Sequence, residues 1–213
     1  MYAESPLAFD KYMLSSLVGL AGESRRHRLL SQLWRSISEG HLSVELDAHL
    51  SSHFIAGFST NTDGGLEQAH EVLRRARADG VASTRVFNSF LAASLRCGAA
   101  DRPAALAAAL AIVTDLEAGV NGARLDPYSV ALAVGLLGRA RRLQDARELV
   151  ERHPSCADTV TLNSLIDAAA RAGNAHSALA TLERMEERPW GSTARRRPRR
   201  RTRRRCRRSC APT

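Results

Sequence analysis

An internal repeat is the feature that most restricts how this 213-residue chain can fold. The stretch VTLNSLIDAAARAG at residues 160–173 recurs as RVFNSFLAASLRCG at residues 85–98. In both stretches the apolar residues are spaced for one face of a helix, and a glycine follows, the residue that most often ends a helix. A second helical pattern comes after each glycine. Two short helices cannot bury their apolar stripes alone, so such pairs must stack on neighbours.

Five units of this kind are predicted, over residues 10–47, 48–83, 84–126, 127–158 and 159–187, after a leader at residues 1–9. Hydrophobic residues make up 44% of the chain and aromatic residues only 5%, so the core must be packed with Ala, Leu and Val, and Ala and Leu are strong helix formers. No segment alternates apolar and polar residues as a strand would. We therefore predict an all-α solenoid of about five antiparallel helix pairs without a sheet. In the last helix we place four residues on the apolar face: Ala178, Leu179, Leu182 and Met185.

The positive charge of the chain is concentrated at one end. The net charge is +9, and residues 189–213 contain eleven arginines and no acidic residue, so residues 1–188 carry −2. Residues 188–213 have no apolar face, and we predict a disordered Arg-rich tail. Two interpretations stay open for it: a basic arm that clamps nucleic acid, or an out-of-frame stretch with no function.

Several functional classes have no signature here. No Gly-rich phosphate loop with lysine, nucleophile elbow or zinc-deaminase motif occurs, so we expect neither an enzyme nor a bound cofactor. His49 and His53 stand one helical turn apart without a third ligand, and we expect no metal. No run of about 18 apolar residues exists, so no membrane partner is expected. The N-terminal residues do not look like a transit peptide.

The units resemble pentatricopeptide repeats, whose usual opening is Val-Thr-Tyr-Asn-Thr-Leu-Ile, followed by a Lys/Arg-Ala-Gly turn and a second helix with Ala-Leu. The fifth unit matches this pattern at residues 160–166, 171–173 and 178–179, and the third unit matches at residues 86–91 and 96–98. The fourth unit matches moderately, and the first and second match poorly. The resemblance implies a right-handed superhelix whose first helices line a concave groove that binds single-stranded RNA, one base per repeat.

Two positions of each unit are implied to read the base: a polar residue in the first helix and the last residue before the next unit. In the third unit these are Asn88 and Asp126, a pair that in this family favours uridine. The other units offer Leu14 with Asp47, Ser52 with Ser83, and Ala131 with Asp158, and the fifth offers Asn163 alone. The asparagines also fit exposed polar positions of a helix, and Asp126 and Asp158 also fit helix N-caps.

A third position, the second residue of each unit, is implied to stack on the base. It falls at His49, Arg85, Tyr128 and Val160, and arginine and tyrosine are good stacking residues. Tyr128 fits the core equally well, whereas Phe87, Leu162 and Met185 are predicted to be core.

The resulting functional prediction is a sequence-selective RNA-binding protein that acts in RNA processing, stability or translation in the chloroplast or mitochondrion. If it acts in an organelle, we expect the sequence to lack its natural N-terminus. The alternative is a scaffold for protein partners that resembles tetratricopeptide repeats. Those repeats carry Trp, Leu-Gly and Tyr in the first helix, and Trp34 and Trp190 are not placed that way. A fragment of a longer protein is a third possibility.

Overall fold

The computed structural model describes residues 10–42, 44–61 and 64–187, so the predicted leader and the predicted Arg-rich tail lie outside the described residues. Within those ranges the chain forms ten α-helices and no strand. The all-α prediction is therefore confirmed. The helices are α1 (Lys11–Glu23), α2 (His27–Ser38), α3 (Ala48–Phe58), α4 (Gly65–Ala78), α5 (Thr84–Arg96), α6 (Arg102–Ala118), α7 (Pro127–Arg139), α8 (Leu143–Arg152), α9 (Thr159–Arg171) and α10 (Ala175–Glu187).

Aspartates define where three of the odd-numbered helices begin. The carboxylates of Asp47, Asp126 and Asp158 each accept a hydrogen bond from the backbone N–H three residues ahead, at 2.7, 2.6 and 2.8 Å. Such N-caps satisfy one of the free N–H groups in the first turn, and their negative charge suits the positive end of the helix dipole. The same three aspartates close units one, three and four, so helix capping fixes the register of the units that follow.

The ten helices stack as pairs in which odd and even helices play different parts. Each odd-numbered helix packs against the next odd-numbered helix, and the even-numbered helices from α2 to α8 each pack against both neighbouring odd ones. The described even-numbered helices have no comparably extensive contact with one another. Long side chains bridge them instead, as Arg77 of α4 with Asp115 of α6 and Arg152 of α8 with Glu117 of α6. The odd-numbered layer is therefore the more tightly packed of the two.

The spacing between neighbouring odd-numbered helices differs along the stack. Gly22 of α1 lies so close to Gly57 of α3 that an added Cβ would stand 2.8 Å from the Gly57 Cα. A Cβ on Gly138 of α7 would stand 2.7 Å from the Ala168 Cβ of α9. Between α5 and α7, in contrast, the corresponding place holds Leu95, whose side chain packs on Gly135. Small residues thus allow a close approach of α1 to α3 and of α7 to α9, whereas the larger Leu95 side chain lies between α5 and α7.

The core of the described helices consists of two buried clusters, and the first contains four fully buried phenylalanines, Phe54, Phe58, Phe87 and Phe90. Leu162 and Met185, predicted to be core, are also buried. No helix among the described residues has both the length and the apolar character needed to cross a membrane.

The predicted apolar face of α10 is wrong for two residues, because Leu179 and Leu182 are 59% and 45% exposed. The buried stripe of α10 consists of Ser177, Thr181 and Met185, which are spaced four residues apart. Thr181 donates its hydroxyl to the Ser177 carbonyl oxygen, and this bond lets a polar side chain be buried there. Among the described helices α10 packs extensively only on α9, so the turn that carries both leucines faces outward.

Candidate nucleic-acid interface

A groove opens where α5 faces α7. Its volume is about 510 Å³, and it reaches from the last turn of α3 to the first turn of α7. Seven of the nine residues that line it carry a polar or charged group: Thr84, Arg85, Asn88, Ser89, Arg96, Asp126 and Tyr128, with Ala56 and Ala92 as the other two. The leucine that separates α5 from α7 leaves this space open.

Asn88 and Asp126 are in contact in the groove. The amide nitrogen of Asn88 donates to the carboxylate of Asp126, with Nδ2 lying 3.2 Å from Oδ2 and 3.3 Å from Oδ1. The Ser129 hydroxyl lies 2.7 Å from Asn88 Oδ1 and also 2.7 Å from Asp126 Oδ1. Asn88 is only 8% exposed, so it is not the ordinary solvated asparagine of a helix surface. The three side chains form a polar network that joins α5 to α7.

Arg85 and Tyr128 occupy opposite walls of the same groove. Arg85 is the second residue of α5 and Tyr128 the second residue of α7. Both are exposed, and Tyr128 is 56% exposed, which excludes the core position that its sequence also allowed. A planar guanidinium and an aromatic ring on two sides of one opening can stack on the faces of a flat ligand.

The α7–α9 junction lacks such a network. Ala131 stands where Asn88 stands in the preceding unit and is buried, with no polar group to offer a ligand. Asp158 caps α9 and is exposed, and the second residue of that helix, Val160, is 56% exposed. Asn163 is exposed on α9. It holds the reading position of the fifth unit, whereas Asp158 is paired with the reading position of the fourth unit. The structure therefore does not bring Asn163, Asp158 and Val160 together into one site.

The position assigned in unit one needs correction, since Leu14 is fully buried in the core. Helix α1 begins after Asp10, as α3 begins after Asp47, and the residue equivalent to Asn88 is therefore Ser15. Its hydroxyl lies 3.1 Å from His49 Nδ1 and 3.0 Å from His53 Nδ1, and the two imidazole centroids are 4.3 Å apart. The described residues include no group of three or more His, Cys, Asp or Glu side chains placed to hold a metal.

Ser52, the equivalent residue of unit two, donates its hydroxyl to carbonyl oxygens of its own helix, those of Ala48 and His49. The side chain is buried and already satisfied by these bonds. Its partner position Ser83 makes no side-chain cap on α5. Among the assigned reading pairs, a direct side-chain hydrogen bond is seen in unit three.

An arginine ends each of the last three odd-numbered helices, at Arg96, Arg139 and Arg171. Arg96 donates to the Ser59 hydroxyl at 2.8 Å, and Arg139 donates to the Cys97 carbonyl oxygen at 3.3 Å. Burial raises the pKa of the Cys97 thiol, which keeps that side chain uncharged beside the arginine. The three arginines thus form a row along the odd-numbered helices, in which Arg171 is paired with Asp167 of its own helix at 2.8 Å.

Sequence reasoning missed Ser129 and Ser15. The first could have been found from the Asp-x-x-Ser/Thr spacing shared by residues 126–129 and 158–161, which places a hydroxyl in the first turn of the next helix. Ser15 could have been found only by recognising that a helix begins after Asp10, although that helix lacks the Asn-Ser pair.

Comparison with known proteins gives one sequence match and one fold match. Residues 160–189 match the family model of the PPR repeat. No curated protein matches the chain in sequence. A solved structure that it resembles is the PPR domain of Arabidopsis thaliana protein-only RNase P 1 in complex with tRNA. The identity is 15% and the TM-score 0.63, over 83% of this chain and 89% of that chain.

The structural match shows the fold, because helix pairs stack in the same way over most of both chains. The sequence match places a PPR repeat on the fifth unit, from residue 160 onward. The predicted solenoid fold is therefore confirmed, and the predicted resemblance to pentatricopeptide repeats is confirmed in sequence for the fifth unit.

Proposed function

We propose that the chain binds single-stranded RNA and that the groove between α5 and α7 holds one base, with uridine favoured. The observation that carries the proposal is the Asn88–Asp126 hydrogen bond inside a groove whose walls hold Arg85 and Tyr128. The PPR domain of protein-only RNase P 1, which shares the fold, is in complex with tRNA. The proposal is of a binding module without catalysis or cofactor, acting in RNA processing, stability or translation in the chloroplast or mitochondrion.

The amide of Asn88 supplies the polar contact to the base. One of its two N–H groups is directed at Asp126, and the other remains for a ligand. Its oxygen accepts from Ser129 and has a second lone pair available. One free donor beside one free acceptor suits the Watson–Crick edge of uracil, and readers of single-stranded RNA bind that edge.

The cationic groups near the groove supply the phosphate contacts. Arg96 lines the groove, and Arg139 and Arg171 repeat its position at the ends of the next two odd-numbered helices. Such a row runs along the stack, as a bound strand would. Affinity that depends on these arginines should fall steeply as the salt concentration rises.

The test is to measure how the full-length chain binds oligonucleotides that differ at one base. Asn88→Ala should remove the preference for uridine at that base, a discrimination of about 1–3 kcal/mol by analogy with edge readout in DNA. Asn163→Ala is the matched control, because this asparagine has the same place in α9 but is exposed and outside a paired network. Tyr128→Ala should instead weaken all four oligonucleotides alike, by about 1–3 kcal/mol for a lost stack.

Comparing oligonucleotides on the same chain cancels the nonspecific attraction of the eleven C-terminal arginines. The RNA proposal is wrong if the chain shows no binding to single-stranded RNA at low salt. In that case the scaffold for protein partners becomes the better account of this solenoid.

A further inference from the structure

We propose that Ser129 is a positioning residue that holds the Asn88 amide in one orientation and so helps to decide which base the groove accepts. This inference rests on the proposed function, since it requires Asn88 to meet a base. It concerns a residue at the third place of α7, a helix that follows the unit to which Asn88 belongs. The base choice of one unit would then depend on a hydroxyl supplied by the next.

Burial separates Ser129 from any ligand. Its side chain is 0% exposed and lies beneath the network, whereas Asn88 is 8% exposed and lines the groove. A bound RNA can touch Asn88, Tyr128 and Arg85, but it cannot reach Ser129. Any influence of Ser129 on base choice must therefore pass through the Asn88 amide or the Asp126 carboxylate.

The count of hydrogen atoms shows what the hydroxyl does. Ser129 has one O–H, and two acceptors lie within 2.7 Å of its oxygen, Asn88 Oδ1 and Asp126 Oδ1. Asp126 Oδ1 already accepts the backbone N–H of Ser129 at 2.6 Å, and the Asp126 carboxylate also accepts from Asn88 Nδ2. Asn88 Oδ1 has no other described side-chain donor. The hydroxyl therefore stabilises the network most when it donates to Asn88 Oδ1.

Orientation matters because a side-chain amide carries a donor at one end and an acceptor at the other. Rotation by half a turn exchanges them and would present the opposite pattern to a base edge. Asp126 holds the nitrogen end through a contact of 3.2 Å, and Ser129 holds the oxygen end through a shorter one. Without the hydroxyl one tether remains, and the amide can turn away from the geometry that a single base requires.

The neighbouring junction provides a natural contrast. Thr161 occupies the third place of α9, equivalent to Ser129, and its hydroxyl donates to the Cys156 carbonyl oxygen at 3.0 Å. The residue at the reading position there is Ala131, which has no amide to orient. A hydroxyl at this place therefore contacts a reading side chain at the α5–α7 junction, and at the α7–α9 junction it stabilises the backbone.

The experiment measures Kd of the full-length chain for four oligonucleotides that differ only at the base read by Asn88. Ser129→Ala should reduce the preference for uridine about fivefold, the equivalent of one ordinary hydrogen bond, and change the mean affinity less than twofold. The cap on α7 should survive, since it uses the backbone N–H of Ser129. Ser129→Thr keeps the hydroxyl and should restore the preference. Thr161→Val, the matched control, should leave base choice unchanged.

Three outcomes separate this proposal from the proposed function. If the wild-type chain binds RNA without base preference, or Asn88→Ala keeps the preference, the reading role of Asn88 itself fails. If Asn88→Ala abolishes the preference and folded Ser129→Ala retains it in full, the positioning role is overturned and the reading role stands. Should Ser129→Ala not fold, Ser129→Cys substitutes a weaker donor of similar size, and an undiminished preference in that variant overturns the positioning role equally.

Discussion

The α5–α7 and α7–α9 junctions use equivalent positions of consecutive repeats, but they differ in what stands at those positions and in how far apart the helices lie. The first junction contains Asn88 and Asp126 in contact, in a groove of about 510 Å³. The second has a buried Ala131 opposite an aspartate that serves as a helix cap. Near the C-terminal ends of these helices, Leu95 packs on Gly135 in the α5–α7 junction, and Gly138 is in close contact with Ala168 in the α7–α9 junction.

This difference shows that a reading pair needs space as well as the right side chains. Helix spacing is set about two turns away from the polar network, by the size of the residues where the helices cross. At the crossing of α5 and α7 a leucine packs on Gly135 and a groove lies near the first turns, whereas at the other crossing Gly138 brings α7 into close contact with α9. Residue identity at the reading position alone therefore does not define a base site.

The largest expected effect comes from filling the tight crossing. Gly138→Ala would place a Cβ 2.7 Å from the Ala168 Cβ and 2.9 Å from its Cα, so backbone must move. We expect the free energy of unfolding to fall by about 1–3 kcal/mol, as is usual for overpacking. At about 2–4 °C per kcal/mol for a chain of this size, thermal denaturation will resolve the change.

Gly135→Ala is the matched control in the same helix. Its Cβ would stand 3.4 Å from Leu95 Cδ2, an ordinary contact with a flexible side chain. Alanine also favours a helix interior over glycine by about 0.5–1 kcal/mol, so this variant should be neutral or more stable. Equal stability of the two alanine variants would contradict the tight crossing between α7 and α9.

A smaller difference is expected between the two caps. Asp158→Ala should cost about 0.5–2 kcal/mol of stability, since it removes an N-cap. Asp126→Ala should cost about 1 kcal/mol more, because the poorly exposed Asn88 amide also loses its acceptor. Urea denaturation measures both. In the Asn88→Ala background the extra cost should vanish, and strictly additive losses would show that the two side chains are not coupled.

The sequence was informative where local chemistry decides the structure. Helical spacing and the glycines at 98 and 173 located the helix pairs, and Asn88 and Asp126 were chosen from their places in the repeat. The register of unit one was wrong by a single residue. Its first helix lacks the Asn-Ser pair, and its start is marked only by Asp10, which makes no side-chain cap bond.

Features that depend on neighbouring repeats could not be predicted in this way. The exposure of Leu179 and Leu182 follows from which helices cover α10, and periodicity alone made both look buried. The closure of the α7–α9 junction arises from a contact between Gly138 and Ala168, which lie in different units. The role of Ser129 depends on the side chain of Asn88, 41 residues earlier in the chain.

The smallest expected effect tests whether spacing limits base reading. Ala131→Asn would place an amide opposite Asp158 and so copy the residue pair of the α5–α7 junction. Ala131 is already buried, and the Thr161 hydroxyl donates to the Cys156 carbonyl oxygen. The new amide would therefore lack both the space around Asn88 and a second hydrogen bond like the one that Ser129 donates to Asn88. We expect a modest loss of stability, about 1 kcal/mol as for a typical substitution, and less than a twofold change in preference among oligonucleotides that vary at the next base. A gain of uridine preference at that base would mean that side-chain identity alone creates a reading site, and that helix spacing does not account for the difference between the two junctions.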